Sequence, residues 1–370
     1  MNVLLTDATD IFAGGEDYVL VLARHLVRRG HAVWVSARPG HLLLRKCEEC
    51  SLPVVPLPYG DMMRVFGVSR LLRHALLERS IAVVHSNANY DRTCAGFASS
   101  FTPARHVAGV HSTHSIRRNI THALRNHFAT AHFITDAEAG RDVLLRRDHI
   151  GPGRVTTVPI GIETDPPEAR ATWRAATRRS LKIDENTVVV GNVARLVPFK
   201  GHRFLLEAAA IIAREARNVL FLIVGDGELE KELKDRTAAL GITGCVRFLG
   251  FRDDLRQLYP AFDLYCHSSI DLASEMFPIA ILRALATGLP VVASNVGGIA
   301  AMVEEGISGH LTPAEDPSAL ARALIATIGD RGTLREFGRS SFALFDRRYR
   351  AERMAADVER IYMNVVGEHR

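Results

Sequence analysis

At 370 residues and 40.7 kDa, with 47% hydrophobic and 24% charged side chains, the chain has the composition of a soluble globular protein, which excludes collagen-like, disordered and disulfide-scaffold chains. Five cysteines are too few for a disulfide framework, and a formal charge of +5 is far from a nucleic-acid footprint, so no nucleic-acid partner is expected. At about 150 residues per domain the length predicts two domains.

The start, MNVLLTDATD, has no basic leader and meets Asp7 and Asp10 too early for a signal peptide. No window reaches 18 apolar residues without a charge, so a cytoplasmic chain without a transmembrane helix is expected. Short apolar runs predict strands at Val3–Leu5, Ala32–Ser36, Val83–His85, Ala108–His111 and Phe133–Thr135. Helical patterns lie between them, as over Asp17–Arg29, where Val19, Leu22, Ala23, Leu26 and Val27 share a face and Gly30 supplies the stop. Cys47 and Cys50 form a single C-x-x-C; with no second pair they read as reduced thiols, and no metal is expected. The first 170 residues carry 20 Lys and Arg against 16 Asp and Glu, a mild excess that suits an anionic surface or substrate.

Gly161–Arg179 is polar, contains Pro166 and Pro167, and reads as a linker. The rhythm then restarts, with strands predicted at Thr187–Val193, Val219–Val224, Val246–Leu249, Leu264–His267 and Val291–Ser294. Helices are predicted at His202–Arg214, Glu228–Leu240 and Pro278–Thr287. Such alternation predicts an α/β architecture of two Rossmann-like domains, 1–165 and 166–349. Ligands would bind at the carboxyl ends of the strands, with the cleft between the domains as the default site.

Four segments follow strand ends. In Asp10–Glu16, Gly14 and Gly15 let a backbone approach a ligand or simply make a turn. In Arg195–Gly201, Arg195 and Lys200 are two cations on one loop, able to grip linked phosphates or to stand solvated. In Val224–Gly227, Gly225 allows close approach and Asp226 is expected to cap the next helix. In Ser274–Pro290, Glu275 precedes a helix opened by Pro278 at its first position, whose free amides near Ile279 can meet a diphosphate. Asn295–Gly298 adds a further glycine pair.

Taken in this order, the early Gly-Gly, R-x-x-x-x-K-G, V-G-D-G, E-x-F-P, A-x-G-x-P-V-V-A-S and final G-G resemble the retaining glycosyltransferases of family 4, with the GT-B fold of two Rossmann-like domains facing each other across a cleft. The resemblance implies a saccharide or lipid-linked acceptor on domain 1–165 and a nucleotide diphosphate sugar on domain 166–349. It also implies that a C-terminal helix, about 350–370, crosses back onto the first domain. It implies that Glu275 holds sugar hydroxyls, that Arg195 and Lys200 neutralise the diphosphate, and that His111 lies beside the reacting sugar. Gly14, Gly15, Gly225, Asp226, Phe277 and Ile279 would line the sugar-donor site. Neither a cofactor nor a metal is implied.

Three positions depart from the family pattern, one of them Ile160, which replaces the Asn of the usual P-N-G run before the linker. Arg283 stands where a second glutamate, eight residues after Glu275, accepts the ribose hydroxyls, and arginine has no acceptor. Ala301 replaces another common glutamate. An active hexosyltransferase of surface-glycan synthesis and a non-catalytic GT-B binding protein therefore both stand as readings. The basic, moderately apolar Ile116–Arg125 is expected either to dock on anionic lipid at the inner face of the membrane or to be a solvated helix.

Overall fold

The computed structural model describes residues 1–9, 14–60, 62–116, 120–215, 218–270 and 275–367. Asp10–Ala13, Arg117–Asn119 and Ser274, which belong to segments singled out above, lie outside them. The chain forms two compact units, Met1–Ile162 with Tyr349–Arg370, and Glu163–Arg348.

Among the described residues, the first unit holds six strands: β1 (Asn2–Thr6), β2 (Ala32–Ser36), β3 (Val83–Ser86), β4 (Arg105–Val110), β5 (His132–Thr135) and β6 (Val155–Thr157). They form one parallel sheet in the order β2-β1-β3-β4-β5-β6. Both faces are covered, so the central strands are apolar along their length: Val3, Leu4, Val83, Val84 and Val107 are fully buried. His111 stands one residue beyond β4 rather than inside the strand, because the ladder to β5 ends with Val110 opposite Thr135. The helix Ala351–Gly367 belongs to this unit. Its Glu359 binds Arg29 and His31, and the Tyr362 hydroxyl lies 2.6 Å from His85 Nδ1.

The second unit repeats the plan with β7 (Val188–Val193), β8 (Val219–Val224), β9 (Val246–Phe248), β10 (Leu264–His267), β11 (Val291–Ser294) and β12 (Gly309–Thr312), in the order β12-β11-β10-β7-β8-β9. Its core joins Leu205, Leu206 and Ile212 of the helix His202–Glu215 to Phe221, Ile223 and Leu264 of the sheet.

The expected linker is instead largely a helix, Pro167–Ser180, with Pro167 in its first turn and Glu168 near its amino end. It is held by arginine rather than by an apolar face. Arg174 donates to the carbonyls of Pro260 (2.9 Å) and Phe262 (2.8 Å), and Arg178 to that of Ala261 (3.1 Å). The basic segment also differs from expectation. Ile116 is buried, and the buried Arg125 guanidinium donates to Thr93 Oγ1 (2.7 Å) and Asn126 Oδ1 (3.0 Å) instead of facing solvent. No helix among the described residues is long and apolar enough to cross a membrane.

Candidate active site

In a doubly wound parallel sheet, ligands gather where the strand order reverses. In the second unit that point lies between β7 and β10, since the chain runs from β7 out to β9 and returns to β7's other side. The loops after these two strands carry Arg195, Lys200 and Glu275.

The loop after β7 is shaped by the turn after β8. Leu196 N–H donates to the Asp226 carbonyl (2.7 Å) and Leu229 N–H to the Leu196 carbonyl (3.0 Å). Gly225 has φ 131°, and a Cβ there would stand 2.1 Å from the Ala194 carbonyl oxygen, so this glycine lets the two loops touch. Asp226 is exposed and caps no helix. The helix Glu230–Ala239 begins four positions later, out of reach of its carboxylate, and has Leu229 at its N-cap.

Phe199 spaces the two cations. The Arg195 guanidinium lies 5.8 Å and Lys200 Nζ 5.2 Å from its ring centroid. Arg195 is exposed, and its side chain makes no hydrogen bond or ion pair among the described residues. Lys200 Nζ pairs with Glu275 Oε1. The same oxygen accepts from Ser269 Oγ (2.6 Å) and faces His267 Nε2 at 3.4 Å.

Glu275 is 2% exposed. Burial alone would raise its pKa, but His267 and Lys200 more than offset that and hold it at about 2, so the carboxylate is ionised throughout the working pH range. Burial pushes His267 down, which leaves the imidazole neutral with Nε2–H toward Glu275. Glu275 Oε2 takes no hydrogen bond among the described residues.

The backbone of Glu275 is fixed from β11. Gly298 N–H donates to its carbonyl (2.9 Å), and Gly297, at φ 56°, packs so closely that a Cβ would stand 1.8 Å from that oxygen. Pro278 is the N-cap of the helix Ile279–Thr287, not its first helical residue, because its ψ of 112° is extended. The amides of Ile279 and Ala280 therefore precede the first intrahelical bonds, which run from Ile281 and Leu282 to the Pro278 carbonyl. Phe277 is buried and Ile279 half-buried. Arg283 is half-buried on the same helix. Burial raises the Tyr259 phenol, and the nearby Arg283 charge opposes that rise.

In the first unit the reversal lies between β1 and β3. Gly14 and Gly15 open the helix Gly14–Arg28. His111 Nδ1 lies 2.8 Å from Asp136 Oδ2 and 2.9 Å from Oδ1, and its Nε2 lies 2.5 Å from Asn87 Oδ1. Asn87 Nδ2 donates to Asp7 Oδ2 (2.5 Å). Sequence reasoning selected His111 but missed Asp7, Asn87 and Asp136, as it missed His267 and Ser269 beside Glu275. A usable signal existed: Asp7, Asn87 and Asp136 each directly follow a strand. The structure thus groups Arg195, Lys200, Glu275 and the amide end at Ile279 in one unit, and gives His111 a separate polar cluster in the other.

Comparison with known proteins adds to this geometry. Residues 174–342 match the family model described as Glycosyl transferases group 1, and residues 12–166 that described as Glycosyltransferase Family 4. A D-inositol 3-phosphate glycosyltransferase of Salinispora tropica is 34% identical over 251 residues, covering 64% of this chain and 51% of the relative. The amylovoran biosynthesis glycosyltransferase AmsK of Erwinia amylovora is 34% identical over 139 residues, covering 36% of this chain and 34% of the relative. The chain spans about half the length of the inositol phosphate glycosyltransferases it matches. HepE of Anabaena, solved with UDP, superposes with a TM-score of 0.85 at 22% identity, over 98% of this chain and 100% of that one.

Proposed function

The chain belongs to the group 1 glycosyl transferases and has the GT-B fold, and we propose that it transfers a hexose from a nucleotide diphosphate sugar to a hydroxyl of a saccharide or lipid-linked acceptor in surface-glycan synthesis, with retention at the sugar carbon. The observation that carries this reading is the Lys200–Glu275 pair beside Arg195 at the reversal point of the second sheet. Lys200, Arg195 and the amides at Ile279 and Ala280 supply fixed positive charge for a departing diphosphate, and such preorganised charge does most to lower the barrier in many transfer reactions. Since these groups can neutralise the leaving group themselves, the proposed reaction is metal-independent. Glu275, ionised and with Oε2 open, accepts hydrogen bonds from sugar hydroxyls. HepE was solved with UDP-glucose as well as UDP, which makes UDP-sugars the first donors to test. The first unit, which carries His111, takes the acceptor.

UDP at a hundred times its dissociation constant is expected to stabilise the protein by about 2.7 kcal/mol, read as a rise in melting temperature. UDP should also be released from at least one UDP-sugar in the presence of EDTA. Absence of both a melting shift and UDP release across a panel of nucleotide diphosphate sugars would overturn the assignment. A second reading, a GT-B protein that binds sugar nucleotide without turnover, is favoured by Arg283, which offers no acceptor to a ribose hydroxyl. It would show the melting shift without product.

An anionic membrane surface remains a proposed partner, at the inner face of the cytoplasmic membrane. With Ile116 and Arg125 buried, support for it rests on the exposed Leu124 and Phe128 on either side of Arg125. Pelleting with anionic but not neutral liposomes is expected, and Phe128→Ser should weaken it; equal pelleting with both lipids would remove the membrane from the account.

A further inference from the structure

The first sheet places β1, β3, β4 and β5 side by side. The residue directly after each is polar: Asp7, Asn87, His111 and Asp136. In that order they form an unbroken hydrogen-bonded row along the carboxyl edge of the sheet. The row has a direction set by elementary donor and acceptor rules. Asp7 Oδ1 accepts from the Thr9 N–H (2.8 Å) and the Thr9 hydroxyl (2.5 Å), and an ionised carboxylate offers acceptors alone. Its Oδ2 therefore faces the amide nitrogen of Asn87, which turns Asn87 Oδ1 toward His111. An amide oxygen can only accept, so His111 Nε2 must carry a proton. At the other end Asp136 presents both oxygens to Nδ1, which must carry one too.

We propose that Asp136 and the Asp7–Asn87 pair are positioning residues that hold His111 as a doubly protonated imidazolium, so that it serves sugar transfer as a fixed cation and not as a base. This rests on the transferase reading above.

The groups packed around the ring fit that charge state. Tyr18 lies on it with centroids 5.0 Å apart and a tilt of 60°. Arg92 donates to the Gly109 carbonyl (2.9 Å) and opposes the charge, whereas Asp7 and Asp136 favour it. Burial pushes His111 down, but the two carboxylates more than offset this and leave its pKa above the ordinary value. His85, which bonds Tyr362 on its far side, is held neutral at about 3 by burial and by the His111 charge. The carboxylates of Asp7 and Asp136 favour the charge on His111, and that charge in turn disfavours a second one on His85. With both ring nitrogens occupied by donated hydrogen bonds, His111 cannot take the acceptor hydroxyl's proton.

The test is nitrogen NMR on histidine-labelled full-length protein, with the His111 signal assigned by its loss in His111→Gln. Both ring nitrogens are expected to be protonated at pH 7, with a midpoint above the ordinary value of about 6.5. Asp136→Asn should lower that midpoint by about one unit or more, a tenfold change in proton affinity, and Asp136→Glu should restore it. The alkaline limb of kcat/KM for sugar transfer should move to lower pH by the same amount in Asp136→Asn. A bare ring nitrogen at pH 7 in the parent protein overturns the proposal, and this readout needs no variant to fold. An unmoved midpoint and rate profile in Asp136→Asn overturn it as well. The resting spectrum does not depend on turnover. A protonated ring in a protein that releases no UDP would therefore sink the transferase reading and leave the charge assignment standing.

Discussion

Lys200→Ala is expected to lower kcat/KM for sugar transfer by about two to three orders of magnitude, the range seen when one fixed positive group facing a leaving charge is removed. The ammonium has two roles in the geometry described. It stands on the same aromatic ring as Arg195, facing the place proposed for the diphosphate, and it neutralises the buried carboxylate of Glu275. Removing it leaves Glu275 with only Ser269 and His267 as partners. A buried charge stripped of its counter-ion commonly costs about 3–5 kcal/mol, and the part-exposure of the lysine places this site toward the lower end.

The pH dependence has a definite sign. The folded-state value of Glu275, about 2, lies below its ordinary 4.5, so its contribution to stability is present above the ordinary value and is lost as pH falls through the folded one. Without Lys200 the folded value rises, and acid unfolding should begin at higher pH than in the parent protein. Steady-state kinetics and an acid titration followed by circular dichroism check both halves. A kcat/KM within threefold of the parent value would remove Lys200 from the reaction.

Gly297→Ala is expected to destabilise the second unit by about 2–4 kcal/mol, or a melting temperature lower by about 5–15 °C. Its φ of 56° lies in the left-handed region, and the added methyl would meet the Glu275 carbonyl oxygen at 1.8 Å, where backbone must move. The displaced atom belongs to Glu275 itself, so transfer should fall together with stability. Gly306→Ala is the control: φ is 69° and nothing lies within 4 Å of the added carbon. It should cost only the strain of a left-handed alanine, about 1 kcal/mol. Equal losses in the two variants would show that the close approach to Glu275 carries no energy.

Ten of the twelve described strands were legible because a parallel sheet covered on both faces demands short apolar runs, which stand out between polar helical stretches. The two that escaped, β6 and β12, are edge strands of three and four residues whose sequences, VTT and GHLT, carry little such signal. The helix Pro167–Ser180 escaped for another reason. Its only buried side chain is Arg178, and it is anchored by guanidinium groups on carbonyl oxygens, so hydrophobic periodicity had nothing to report.

Within the site, Lys200 and Glu275 were legible from their motifs, and the glycines from their turns. The partners of Glu275 were not, because Ser269 and His267 gain their meaning only from the return of β10 to β7. Asp136 is a sharper case. Each member of its row can be read as a polar residue after a strand, but that the four touch follows only from knowing which strands are neighbours. Asp226 was misread because a capping residue was inferred without the exact start of the next helix.

The closing helix, Ala351–Gly367, has a consequence for how the protein is made. The first unit is assembled from two stretches of chain separated by all of Glu163–Arg348, whereas the second is continuous. On a ribosome adding about 5–20 residues per second, the early segment waits on the order of ten to forty seconds for its last helix. The His85 imidazole and the His31 side chain lack their final partners for that interval. The half of the molecule that emerges first is thus the last to mature, and the later half can be finished before it.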